Sequence, residues 1–153
     1  MIPTPEAVKV AAALCRKFEG LYLRPYMCPA GVPTVGYGST FYENGIRVTL
    51  RDPPITQERA EELLRHELEK NCLPAVARLC PGIDDDNDRA ALMDFVFNLG
   101  SGRLASSTLR KRVNAGAWAQ VPAELRKWVI GGGRVLPGLV RRREAEISLM
   151  GER

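Results

Sequence analysis

Between two stretches of helix-forming sequence lies a segment that cannot be helical. Residues 21–50 carry glycines at 31, 36, 38 and 45 and prolines at 25, 29 and 33, among short aromatic or β-branched runs such as "PTVGYGST". Proline removes a backbone donor and fixes φ, and glycine gives up the most entropy inside a regular element, so spacing this dense leaves no stable helical turn. Short strands and tight turns are what remain, with "ENG" at 43–45 as a hairpin turn. A chain of 153 residues suits one domain with a real core, so this segment has to pack on the helices around it. The expected class is α+β, with a small antiparallel β lobe of two or three strands over residues 20–55.

The flanks read clearly as helix. "TPEAVKVAAALCRKFEG" offers Thr4 as N-cap, Pro5 at the first helical position and Gly20 as terminator, which predicts a helix from Pro5 to Phe18. Its apolar run is followed at once by Arg16 and Lys17, so it reads as helix rather than as a signal peptide; an export signal is absent, removed or supplied by another protein. "PPITQERAEELLRHELEKNCLPAVARLCPG" predicts a long helix over 56–80 that joins two lobes. Thr56 caps it, and Leu63, Leu64 and Leu68 form its apolar stripe. Residues 81–153 divide at Gly or Pro into further helices: "DDDNDRAALMDFVFNLG", "SSTLRKRVNAG", "VPAELRKWVI", a flexible "GGG" at 131–133, and "LPGLVRRREAEISLM". The domain reading is one unit, 1–153, whose helical lobe also holds the N-terminal helix.

Charge and cysteines narrow the function classes. The net charge of +4 is uneven: between Ser101 and Arg143, Glu124 is the one acid among many Lys and Arg. That is a basic surface suited to an anionic partner. The longest apolar runs fall far short of a membrane span. On one continuous helix Cys72 and Cys80 would stand about 12 Å apart, too far for a disulfide, unless Pro74 breaks the helix between them. The chain holds neither C-x-x-C nor a second histidine beside His66, so neither a zinc site nor any cofactor is expected.

The chemistry concentrates in "FEGLYLRPYMCPAGVPTVGYG". Glu19 closes the first helix, where the dipole disfavours a negative charge, and its neighbours Phe18, Leu21 and Tyr22 are apolar. Such a carboxyl is suited to general-acid work on a glycosidic oxygen. As a plain surface residue it would sit oddly at that end.

The pattern of Glu-Gly followed by Y-x-C-P-x-G-x-x-T-x-G-Y-G resembles the phage-type lysozymes, glycoside hydrolase family 24. "ALMDFVFNLGSGRLASSTLRKRVNAG" looks like that family's cleft-lining helix and its successor, and "PGLVRRREAEISLM" like its closing basic helix, so the resemblance spans nearly the whole chain in order. It implies a lysozyme-like fold and an endolysin muramidase. Such an enzyme hydrolyses the β-1,4 bond between N-acetylmuramic acid and N-acetylglucosamine in peptidoglycan, for host lysis and phage release. The implied catalytic residues are Glu19 as acid, Cys28 nine residues on, and Thr34 six beyond, with inversion at the sugar. Implied contacts to substrate are Phe97, Asn98, Tyr37 and Arg142. Phe97 could equally be core, Asn98 a cap, and Gly36 and Gly38 backbone devices. The family often has a histidine where this chain has Ser39.

Three roles are open to Cys28: a thiolate that activates water or attacks the sugar, a wall of the pocket while Thr34 places the water, or a redox gate closed by Cys15. A thiol of ordinary pKa is only roughly 3% ionised at pH 7, so the first role needs neighbours that lower it. Arg141, Arg142 and Arg143 have two jobs available, orienting Glu19 or binding stem-peptide carboxylates. The resemblance further implies glycan strands as partner, a monomer, no nucleic acid, and electrostatic contact with the anionic envelope. The enzyme would accumulate in the host cytoplasm and act in the periplasm. The competing readings are a lytic transglycosylase, which needs only one acid, and a non-catalytic cell-wall or nucleic-acid binding protein.

Overall fold

In the computed structural model, residues 4–151 are described. The first helix, α1, runs Pro5–Glu19, so Glu19 is its last residue and Gly20, at φ 72°, turns the chain away. Thr4 stands at the N-cap position but makes no capping hydrogen bond; its hydroxyl is buried and unpartnered. Proline at the first turn offsets part of that loss, because its missing N–H is one that needs no partner.

The β lobe contains β1 (Tyr22–Met27) and β2 (Pro33–Gly36), paired antiparallel with Tyr26 opposite Thr34 and Met27 opposite Pro33. The register shifts between Tyr22 and Tyr26. Beyond β2 the chain is held by single bridges, Val35 to Ser39 and Phe41 to Arg47, the latter across the turn at "ENG", where Gly45 adopts φ 82°. Tyr42 then pins the following loop: its hydroxyl donates to Asp52 Oδ2 at 2.6 Å, while Asp52 also accepts from Thr49. Desolvation and the Asp52 carboxylate push Tyr42 up to about 12.

The joining helix is three pieces in one axis: α2 (Gln57–Glu67), a π turn (Leu68–Cys72) and α3 (Leu73–Leu79). Thr56 caps it as expected, accepting from the Arg59 amide at 3.1 Å. The wide turn is explained by Pro74, whose ring would strike the carbonyl one turn back in a regular α-helix. The chain opens by one residue before it, with the Leu73 N–H bonded to Leu68 O, and the helix continues. Leu63 of α2 faces the small apolar cluster of the β lobe with Val35 and Val48, whereas Leu64 and Leu68 enter the main core.

That core is built around α4 (Asp86–Leu99), on which α1, α3 and a later helix pack. Ala90, Ala91, Leu92, Met93, Phe95 and Val96 of α4 are all buried, which is how a central helix reads when it is apolar all round. Each large apolar side chain buried this fully contributes about 1.5–3 kcal/mol. Short α5 (Ser101–Ala105), α6 (Thr108–Asn114) and α7 (Val121–Leu125) follow.

Here the structure departs from expectation. The helix over "VPAELRKWVI" stops at Leu125, and the glycines are not a flexible link. Ile130–Gly131 (β3) pairs with Arg134–Val135 (β4), and Gly132 and Gly133 turn the hairpin with positive φ. The last helix, α8, spans Pro137–Met150 and lies on α4. All four cysteines are free thiols.

Candidate active site

Glu19 projects from the end of α1 between Arg142 of α8 and Gly38, in the turn after β2. Its Oε2 accepts from Arg142 Nη1 at 2.6 Å. Its Oε1 lies over Gly38: a β-carbon there would stand 2.7 Å from it, and Gly38 has φ 85°. The second glycine of "GYG" is therefore what admits the carboxyl.

Arg142 is 3% exposed, and each of its three nitrogens makes a hydrogen bond. Nε and Nη2 donate to the two oxygens of Asp94 at 2.9 and 2.8 Å, and Phe18 lies under the guanidinium at 5.6 Å. Of the two jobs open to the arginines, Arg142 has the orienting one; it is too buried to reach a stem-peptide carboxylate. Arg143 is likewise buried, over the Phe95 ring, and donates to Asn98 Oδ1 at 2.7 Å and to Glu146. Arg143 Nε and Glu146 Oε1 stand 2.8 Å apart without hydrogen-bond alignment. Only Arg141 of the three is exposed.

Asp94 and Glu146 divide their roles by environment. Desolvation works to raise Asp94, but Arg142's hydrogen bonds outweigh it and hold Asp94 below the usual carboxylate range. Burial, with Asp94 beside it, pushes Glu146 well above that range. Above about pH 4.3 the unfolded chain loses the Glu146 proton while the folded chain keeps it. Wild-type stability is therefore lost as pH rises toward the folded value, with a slope of at most about 1.4 kcal/mol per pH unit. Glu146→Gln, which mimics the protonated acid, should lack that loss. Urea unfolding at pH 4.5 and pH 7 should show the variant gaining on wild type at the higher pH; a constant difference would mean that Glu146 is ionised in the fold.

Cys28 and Thr34 face one another across the β1–β2 turn. The Val32 amide, and after it the Thr34 hydroxyl and the amides of Ala30 and Gly31, hold the Cys28 thiol below its ordinary value. Thr34, 3% exposed, donates its hydroxyl proton to Val32 O at 2.9 Å. A hydroxyl has one proton, so this leaves its lone pairs to orient a water, and rotation lets it donate to a thiolate instead. Tyr26, opposite Thr34, feels both Glu19 and Cys28 and is raised, chiefly by desolvation.

Cys15, the residue of the imagined redox gate, is packed in the core with its Sγ donating to Asp94 Oδ1 at 3.3 Å. Burial, reinforced by Asp94, pushes its thiol well up.

The expected substrate contacts are placed differently from one another. Phe97 packs its inner side on the core and lines a cleft of about 490 Å³ with Gly38, Ser39, Thr40, Leu63, Glu67 and Asn71. Asn98 uses its carbonyl on Arg143, which leaves the amide nitrogen for a ligand. Tyr37 is 5% exposed and belongs to the main core, with its hydroxyl toward Glu61. Tyr37 lies in the turn just after β2, between Gly36 and Gly38, both at positive φ, and that turn carries its ring into the core. His66 lines the cleft too. Asp94 was missed altogether; a lone acid inside the apolar run "LMDFVF" was the available signal.

A two-lobed α+β fold with an arginine-held carboxyl between the lobes is the architecture of a lysozyme. The phage lysozyme family matches residues 16–146, and the chain belongs to that family. An endolysin of Acyrthosiphon pisum secondary endosymbiont phage 1 is 36% identical over 140 residues, covering 89% of this chain and 91% of that protein. Among solved structures, an endolysin from Escherichia coli O157:H7 phage FAHEc1 superposes with a TM-score of 0.83 at 29% identity, covering 99% of this chain and 94% of the other. The muramidase domain of SpmX from Asticaccaulis excentricus gives 0.77 at 31%, with 99% of both chains covered. The protein is accordingly a glycoside hydrolase of the lysozyme class, an endolysin muramidase. The transglycosylase and the non-catalytic binding readings are not favoured.

Proposed function

We propose that this enzyme cleaves the N-acetylmuramic acid–β-1,4–N-acetylglucosamine bond by inversion, with Glu19 as acid and a water held by Thr34 and Cys28 as nucleophile. One observation carries the reading: a carboxyl anchored through one oxygen, with the other free over Gly38, beside a strand pair that holds a lowered thiol and a hydroxyl. Glu19 protonates the glycosidic oxygen as the bond to the anomeric carbon breaks. Water adds from the opposite face, and its proton passes toward Cys28, for which Thr34 sets the orientation. Phe97 supplies an apolar wall for a sugar ring. The two lobes work as one catalytic unit, without metal or cofactor.

The enzyme acts as a monomer on glycan strands in the periplasm, after accumulating in the host cytoplasm, and does not bind nucleic acid. Its exposed cations, Arg103, Lys111, Arg112, Arg134 and Arg141, favour contact with the anionic envelope. The basic surface is smaller than the composition implied. Arg110 donates to the carbonyls of Leu79 and Ala105, Arg126 pairs with Glu144, and Arg142 and Arg143 are interior.

The test is digestion of purified peptidoglycan by wild type, Cys28→Ser and Cys28→Asp, each with and without reductant. Mass spectrometry should find reducing muramic acid ends, and NMR the inverted anomer first. Cys28→Asp should keep activity and Cys28→Ser lose about 10- to 100-fold. Reductant should leave the wild-type rate unchanged, since Cys15 is committed to Asp94. Products ending in 1,6-anhydro sugars would overturn hydrolysis, and a retained anomer would make Cys28 a covalent nucleophile.

A further inference from the structure

Beneath Glu19 lies a layer of buried charge that the proposed reaction does not itself use. A guanidinium offers five N–H donors in a fixed plane, and its preferred partner geometry is a two-bond fork onto one carboxylate. Arg142 forms that fork, but not with Glu19. Nε and Nη2 go to Asp94 Oδ2 and Oδ1, which leaves Nη1 alone to reach Glu19 Oε2 at 2.6 Å. Asp94 is 0% exposed and takes a further hydrogen bond from Cys15. We propose that Asp94 is the positioning residue of the general acid: by occupying two of Arg142's three nitrogens it restricts Glu19 to a single anchor and leaves the other carboxyl oxygen free to carry the proton to the leaving group. This rests on Glu19 being the acid.

The alternative arrangement is close at hand. If Asp94 could not accept both bonds, the fork of Arg142 would turn onto Glu19, tie both of its oxygens and hold it as a carboxylate. The surrounding groups agree with the present arrangement. On α1 these are Cys15 and Glu19, from the π turn Cys72, from α8 Arg142, Arg143 and Glu146, and from the β lobe Tyr26, which feels both Glu19 and Cys28. Glu146 is engaged by Arg143, at 3.0 Å from Nη2 and 2.8 Å from Nε, and Arg142 directs its nitrogens to Asp94 and Glu19.

The test is steady-state kinetics of Asp94→Asn on solubilised glycan strands from pH 4 to 9. Asparagine keeps the shape but offers one acceptor in place of two. The expected result is a KM within about twofold of wild type and a kcat lowered about 10- to 100-fold at pH 7. The loss should shrink toward acid pH, with the alkaline limb moved about one unit downward. A second arm removes dependence on folding of that one variant. Arg142→Lys has a point charge that cannot fork, so adding Asp94→Asn to Arg142→Lys should cost no further kcat. A uniform loss at every pH, or losses that multiply in the double variant, would overturn the proposal and leave Asp94 a structural residue. If Glu19→Gln stays active, the reading of Glu19 fails first. If Glu19→Gln is dead and the Asp94→Asn profile overlays that of wild type, only the role of Asp94 fails.

Discussion

Glu19→Gln is expected to lose lytic activity by about 10²- to 10⁴-fold, the range that one well-placed general acid contributes. The substitution is close to isosteric. The amide oxygen still accepts from Arg142 Nη1, and the residue still fits over Gly38, where a β-carbon would stand 2.7 Å from the carboxyl oxygen. What disappears is a transferable proton. Arg142 keeps its two bonds to Asp94, so the fold should survive, and circular dichroism with a thermal midpoint near wild type would establish that. Turbidity clearing of outer-membrane-permeabilised cells is the readout. Undiminished clearing would remove Glu19 from the chemistry and with it the proposed mechanism.

Arg142→Met should be the most destabilising single change at the site, by about 3–5 kcal/mol, the usual cost of leaving one half of a buried ion pair alone. Arg142 and Asp94 are 3% and 0% exposed, and Asp94 has no water to turn to. Methionine replaces the apolar stem that lies on Phe18 but none of the three charged contacts. For a chain of this size the midpoint should fall on the order of 10 °C. Urea unfolding of the single variant, and of Arg142→Met with Asp94→Asn, separates the causes. The second substitution should restore part of the loss by removing the orphaned charge. A single-variant loss under about 1 kcal/mol would show that Asp94 finds another partner.

Much of the framework was legible because it depends on neighbours in sequence. Thr56 caps α2 and the Asp-rich start of α4 caps through Asp85, since a side-chain oxygen need only reach an amide three residues on. The strand-and-turn segment was legible from proline and glycine alone. The short α7 was not. "VPAELRKWVI" has helical propensity, yet Ile130 is taken into a two-residue hairpin by the glycines after it. The π turn was not legible either. Proline forbids a regular helix there, but breaking, kinking and widening all answer the clash, and the core under Leu68 and Cys72 selects among them.

The site divides along the same line. Glu19 could be nominated from its place at a helix end among apolar neighbours, and Cys28 and Thr34 through the resemblance to the phage-type lysozymes, whose pattern lies within one segment. Tyr37 and Arg142 were nominated as substrate contacts and lie inside the protein. Asp94 was never nominated, although it is hydrogen-bonded to Cys15, 79 residues away, and to Arg142, 48 residues away. Local patterns report which residues can cap, turn or alternate. They do not report which charge meets which in the interior, because that choice is made when α1, α4 and α8 close on one another and desolvation makes every unpaired charge costly. The sequence by itself determined the elements, the β lobe between helices and the residue types available for acid chemistry. Tertiary structure alone decided that one arginine would serve two acids, and so which oxygen of Glu19 is left free.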